Sequence, residues 1–406
     1  MYNKDKIKWL YVSSFLDMFA VGLAVPLLSA YMRNLGASHF MIGVSSSVYS
    51  GIQLLSGPLV GSWSDIYGRY QILMFVLAVC SVCYSFIGLT TALSTILFLR
   101  FVLGTFKHTQ TLCRPLVAEL APPEFHSEMY GKMSAMSGIG FMVGPAIGGH
   151  LAELDGGMFL AFQLAALLFL LNTGIVYKYL WTAEKSNSAP VLETQVKPTK
   201  TGVLKIVAEL TEVDWSFYWD LFIIKFLLSF AQKVFYSNYS STVQEKFDLT
   251  PKWVGYTISF QGMIGAICAF SVSWIEGFLF RNWKTKSLVL LGFLLLSFAF
   301  FAVSVVEQLN IFVFFLIPLS FSFSLLRILS TKMIINRTDP NKRGSVTGAS
   351  NSISSIARLI APLCSGAVLE YLGPSSVPLL SVASSFCGVL LAAAFPLNVV
   401  PQKKYS

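Results

Sequence analysis

The chain has 406 residues, 55% of them apolar and only 12% charged, and its mean hydropathy is +0.66. A soluble domain is about a quarter charged, so this composition excludes a water-soluble enzyme, a disordered chain and, at this length, a single-pass receptor. The net charge of +9 does not point to nucleic acid, because the lysines gather at the ends of apolar runs (Lys4, Lys6, Lys8, Lys403, Lys404) and build no basic face interleaved with aromatics.

A membrane-crossing helix needs about 20 residues. Apolar runs between polar punctuation predict twelve: 9–31, 39–63, 71–91, 95–116, 130–153 and 158–180, then 215–238, 252–277, 286–306, 309–331, 345–370 and 375–397. Of the 29 Lys and Arg, only Arg33, Lys246 and Lys252 fall in loops opposite the termini. Arg100, Lys107, Arg114, Lys225, Lys233, Arg327 and Arg358 fall inside or at the edges of spans. The rest lie on the side of the termini, which the positive-inside rule makes cytoplasmic. The first run is long enough to span and lacks a cleavage-like end, so no removable signal peptide is expected. The polar stretch 182–214 reads as a cytoplasmic linker whose Val203, Val207 and Leu210 share one face of a short amphipathic helix. The six cysteines all sit in apolar runs and read as small buried hydrophobes.

The two halves repeat. Gly43 matches Gly255 and Arg69 matches Arg281 at an offset of 212; Arg114 matches Arg327 at 213. Pro145, Gly149 and Glu153 match Pro362, Gly366 and Glu370 at 217, so a six-helix unit is duplicated with small drifts in its loops. Two such repeats around a midplane site form one large class of transporter.

Gly61, Asp65, Gly68 and Arg69 end the second span in the pattern Gly-x-x-x-Asp-x-x-Gly-Arg. This resembles the loop signature of the major facilitator superfamily. The resemblance implies a cytoplasmic gate in which Asp65 sits against the positive N-terminus of another helix (the one starting near Ser345) while Arg69 locks the loop. The second-half copy is eroded to Ser273, Gly277 and Phe280, with only Arg281 kept, which implies an asymmetric gate. Gly138 to Gly149, with Gly144, Pro145 and Gly148 at its centre, resembles the glycine–proline run of the superfamily's antiporter branches, where small residues allow close helix contact and proline bends the helix. Asp17, Gly22 and Pro26 in span one resemble the run of tetracycline-type proton antiporters. Span four resembles a vertebrate branch of the same superfamily. Pro362 in span eleven lacks the flanking glycines.

Arg100, Lys107 and Arg114 recur every seven residues and predict one stripe on an unbroken fourth span. At a rise of 1.5 Å per residue, Asp17 and Lys107 come to similar depth within about one helical turn. They are expected to form an exchangeable ion pair that couples proton and solute, with Arg100 beside it. An ionisable group in hydrocarbon costs at least about 2.5 kcal/mol, which argues for a functional role. Lys225 and Arg358 are read as cavity bases, and their excess over deep acids favours an anionic or zwitterionic cargo. Arg114 and Arg327 are read as gate residues at the cytoplasmic helix ends. His108 is expected to make an interhelical hydrogen bond. No phosphate-binding Gly-Lys loop is present, so ATP-driven pumping is not expected. Asn238-Tyr239-Ser240 is a glycosylation sequon close to the membrane, and Lys403-Lys404 resembles a dilysine retrieval signal, leaving plasma membrane and endoplasmic reticulum both open.

The expectation is therefore an all-α membrane protein of twelve transmembrane helices in two pseudo-symmetric six-helix bundles. The bundles cover 1–181 and 215–406, joined by the linker 182–214, with both termini cytoplasmic. It would be a monomeric, proton-coupled secondary transporter of a small solute, an antiporter working by alternating access, with no cofactor, metal or enzymatic activity and no nucleic-acid partner. The alternative is a receptor on the same scaffold that binds ligand and moves nothing.

Overall fold

A computed structural model describes residues 4–182, 213–278, 283–339 and 342–395. The expected amphipathic helix at 203–210, Arg281 and the Lys403-Lys404 pair lie outside the described residues.

The first half contains α1 (Lys4–Asn34), α2 (His39–Tyr67), α3 (Arg69–Leu89), α4 (Leu93–Phe106), α5 (Thr109–Leu120), α6 (His126–Ala152) and α7 (Gly157–Ile175), which runs into a wider π-type turn, Val176–Trp181. The second half contains α8 (Trp215–Ser237), α9 (Tyr239–Phe247), α10 (Pro251–Phe278), α11 (Thr285–Val305), α12 (Leu309–Arg337), α13 (Arg343–Leu372) and α14 (Ser376–Ala394). Among the described residues, eight helices are both long and apolar enough to cross a membrane. Three of the other expected spans fall short for visible reasons: α2 and α6 are diluted by serine and glycine, and α8 carries Asp220, Lys225 and Lys233. The expected fourth span is broken. α4 stops at Phe106 and α5 restarts at Thr109, so Arg100, Lys107 and Arg114 do not form one continuous stripe. Phe86, Phe98, Leu170, Phe298, Phe314 and Leu390 stand exposed, as a lipid-facing surface requires.

Local chemistry sets the helix ends. Gly68 has φ 97°, a left-handed turn that a Cβ would strain, and it lets α3 start one residue after α2 ends. Ser38 Oγ accepts from the Met41 amide at 3.1 Å and caps α2. Asp214 caps α8 by accepting from the Ser216 and Phe217 amides at 3.1 and 3.2 Å. The Ser216 hydroxyl together with these amides holds the Asp214 carboxyl below its ordinary range.

The chain forms two compact units: residues 1–36, 52–205 and 250–259, and residues 37–51, 206–249 and 260–406. In the first, α1 packs on α6 and α3 on α7; in the second, α8 packs on α13 and α11 on α14. These are the same neighbours in each repeat. Each unit also takes in the opening turns of one helix from the other sequence half. Gly43 of α2 lies against the Pro362 carbonyl of α13, and Gly255 of α10 lies against the Pro145 carbonyl of α6. The matched glycines and prolines of the duplicated sequence thus meet each other in both units. The six cysteines are free. Asn238 is buried and donates to Ser365 Oγ at 3.1 Å, so the sequon is closed to modification in this structure.

Candidate functional site

The break between α4 and α5 builds the site. Lys107 leaves helical geometry at φ −72° and ψ 74°, exposing backbone polar groups that hydrocarbon would not satisfy. Helix α2 satisfies them. Gln53 Nε2 donates to the Lys107 carbonyl at 2.9 Å, and Ser56 Oγ donates to the Gly104 carbonyl at 3.1 Å. Ser56 Oγ also lies 2.9 Å from His108 Nε2, the interhelical contact expected of that histidine.

The break aims Lys107 at α1. Its Nζ lies 2.5 Å from Asp17 Oδ1, with the two side chains 5% and 0% exposed. Lys107 also stands over the Phe169 ring at 5.4 Å and reaches Thr109 Oγ1 at 3.5 Å. A buried carboxylate still needs donors for its second oxygen. Gln110 Nε2 donates to Asp17 Oδ2 at 3.4 Å, and Ser137 Oγ of α6 donates to Gln110 Oε1 at 3.3 Å, so a polar chain runs from Asp17 to α6. Gln53, Gln110 and Ser137 escaped the sequence reading; the available signal was an amide or hydroxyl at the depth of a buried charge. Arg100 is buried as well, but it stands seven residues from Lys107, about 10 Å along α4.

Helix α6 seats α1 closely from Phe15 to Leu23, with Gly140 against the Phe15–Phe19 turn that holds Asp17. A Cβ on Gly144 would lie 2.7 Å from the Leu23 amide nitrogen, and one on Gly148 would lie 2.5 Å from the Leu23 carbonyl oxygen. The glycine run is therefore a close-packing surface. Pro26, Pro145 and Pro362 lie inside α1, α6 and α13.

At the loop signature, Arg69 bridges two acids. Its Nη2 lies 3.2 Å from Asp65 and its Nε lies 3.0 Å from Glu119, tying the turn after α2 to the end of α5. Gly61 accepts through its carbonyl from Ser64 Oγ at 2.7 Å. Arg114 is exposed on α5, and its carbonyl accepts from Tyr130 Oη at 3.3 Å. Arg327 does not sit at a helix end. Helix α12 runs on to Arg337, leaving Arg327 ten residues, about 15 Å, inside it.

In the second unit, Lys225 and Lys233 are half-buried on α8, and Arg327 and Arg358 are exposed on α12 and α13. Lys225 lies within electrostatic reach of Arg327, and Lys233 within reach of Arg358. Arg358 Nη2 donates to Ser355 Oγ at 2.5 Å. Asp220 is held by Arg337 through two bonds of 2.6 and 3.0 Å.

The sequence profile of the Major Facilitator Superfamily matches residues 10–362 and, again, 277–406. Quinolone resistance protein NorA of Staphylococcus aureus is 24% identical over 376 residues, covering 89% of each chain. Multidrug resistance protein 2 of Bacillus subtilis is 22% identical over 371 residues, covering 91% of this chain and 90% of its own. Among solved structures, the nucleoside transporter NupG aligns with a TM-score of 0.78 at 13% identity, over 96% of this chain and 99% of that one. The human organic anion transporter MFSD10 aligns with a TM-score of 0.67 at 19% identity, again over 96% and 99%.

Proposed function

The chain belongs to the major facilitator superfamily, and on that premise we propose that it is a proton-coupled secondary transporter of a small organic solute, working by alternating access with both termini in the cytoplasm. The relatives' resistance and transport activities support the movement of small organic molecules, and the lysine and arginine bias supports the orientation.

One observation carries the coupling: the buried ion pair of Asp17 and Lys107 at a break in a spanning helix. With Asp17 ionised, the pair ties α1 to the α4–α5 break. A proton that reaches the Asp17 carboxylate neutralises it while the Gln110–Ser137 chain keeps the carboxyl oriented, and the loss of charge frees Lys107 and both helix halves. Cargo of the opposite preference then exchanges with the proton. Arg69, with Asp65 and Glu119, acts as the cytoplasmic gate, and Arg114 and Arg281 serve the same end.

Purified protein in proteoliposomes with an imposed pH gradient tests this, using uptake screens of organic anions, zwitterions and amphiphilic cations. Gradient-dependent flux is expected, and Asp17→Asn should abolish its pH dependence. Flux that stays pH-dependent in Asp17→Asn refutes the coupling, and ligand binding without any flux would establish a receptor instead.

A further inference from the structure

In the first half one deep base has an acid of its own: Asp17 answers Lys107. The second half does not repeat this pair. The buried positions Leu10, Asp17, Ala20, Leu23 and Ala24 of α1 correspond in sequence to the buried Leu221, Leu228, Ala231, Val234 and Phe235 of α8 at an offset of 211. Likewise Leu103, Lys107, Leu112 and Leu116 correspond to the buried Leu316, Ser320, Leu325 and Leu329 at 213. Leu228 and Ser320 thus replace the acid and the base, and Ser320 Oγ is buried without a hydrogen-bond partner.

The charge in the second half lies elsewhere and has one sign. Lys225, Ser229 and Lys233 are spaced four residues apart on one face of α8, and Ser229 Oγ donates to Ser354 Oγ of α13 at 3.1 Å between the two lysines. Lys225 with Arg327 forms one cationic pole, and Lys233 with Arg358 forms the other. Eight residues of helix separate them, about 12 Å. Among the described residues, no ion pair includes any of the four, and the one acid of α8, Asp220, is bound by Arg337. Four cations at membrane depth, repelling in two pairs, are costly without negative charge nearby, and among the described residues the unit brings no carboxylate to either pole, only the Tyr49 phenol near Arg358.

We propose that the missing charge is brought by the cargo: a dianionic organic solute with one carboxylate, phosphate or sulfonate at each end, bridging the Lys225–Arg327 and Lys233–Arg358 poles across the Ser229–Ser354 contact. This rests on the transporter reading and narrows its solute class. It also moves Arg327 from the gate to the cargo site. A solute with one anionic group engages one pole and leaves the other uncompensated.

Equilibrium binding separates this from the flux test. The purified full chain in phosphatidylcholine nanodiscs is titrated calorimetrically with succinate, adipate, suberate and sebacate, with octanoate as the monoanionic control. The longer dianions should bind tightest, and octanoate roughly tenfold or more weaker, the loss of one charged contact. Lys233→Met and Arg358→Met should each reduce sebacate to the octanoate level without lowering the thermal midpoint, because each removes an uncompensated charge. Arg327→Met should do the same at the other pole, and Lys225→Arg should keep binding. Equal binding of sebacate and octanoate, or unchanged sebacate binding in Lys233→Met, overturns the proposal. So does loss of the sebacate response in the unaltered protein when phosphatidylglycerol is mixed into the nanodisc, which assigns the poles to a lipid headgroup. Flux of a cationic solute with no dianion binding sinks this inference and leaves the transporter reading standing. Dianion binding without flux does the reverse.

Discussion

Asp17 and Lys107 illustrate how little a buried charge can be changed alone. Removing one partner leaves the other desolvated, with neutral groups such as a ring face, a hydroxyl and an amide around the pair. Breaking such pairs typically costs about 3–5 kcal/mol, whereas replacing both partners by apolar groups is near neutral. Lys107→Met should therefore lower the unfolding midpoint of the detergent-solubilised protein, and Asp17→Leu combined with Lys107→Met should restore most of it. Chemical denaturation read by tryptophan fluorescence checks this. Recovered stability with lost proton coupling would show that the pair serves transport rather than folding. Arg327 teaches the complementary lesson: its distance from the end of α12, not its match to Arg114, decides what it can touch.

Helices impose the next constraint. The periodicity of apolar runs placed the spans within a few residues of α1–α3, α6–α8, α10, α11, α13 and α14, because hydrocarbon demands long helices whatever else the sequence encodes. It missed the α4–α5 break, since neither Lys107 nor His108 is a helix breaker. The break is held from outside, by Gln53 and Ser56 of α2, and nothing local announces it. The glycine run of α6 was legible as a packing surface but not which of its members pack. Gly144→Val forces α6 off the α1 backbone and should destabilise by about 3 kcal/mol, whereas Gly138→Val, with open space around its Cβ position, should be tolerated in folding. Urea-dependent unfolding of the two variants in parallel distinguishes them.

Duplication governs the molecule as a whole. Helix α2 leaves one compact unit for the other after Gly51, and α10 does so after Ser259, each held by the same glycine-on-proline contact. At the end of each contact an acid meets the start of the incoming helix: Glu370 accepts from the His39 amide at 2.7 Å, and Glu153 accepts from Thr250 Oγ1 at 2.5 Å. Two matched clasps should respond alike. Gly43→Leu and Gly255→Leu should each slow transport by similar factors, while Gly265→Leu, with nothing near its Cβ position, should not. Initial rates of flux in proteoliposomes measure the comparison. Dissimilar effects of the first two would show that the clasps are not functionally equivalent.

Composition, periodicity and the offsets of 212 to 217 sufficed for the helical membrane architecture, the duplication and the depth of Asp17 against Lys107, because burial in lipid and a 1.5 Å rise act on any helix regardless of its neighbours. Contacts between distant segments lay beyond their reach. The kink that swings Lys107 onto Asp17, the Gln110 amide on the second Asp17 oxygen, the bridge from Arg69 to Glu119 and the Ser229–Ser354 contact each depend on side chains from different helices meeting. A one-dimensional pattern reports which face a residue occupies, and packing alone assigns the residue it meets there.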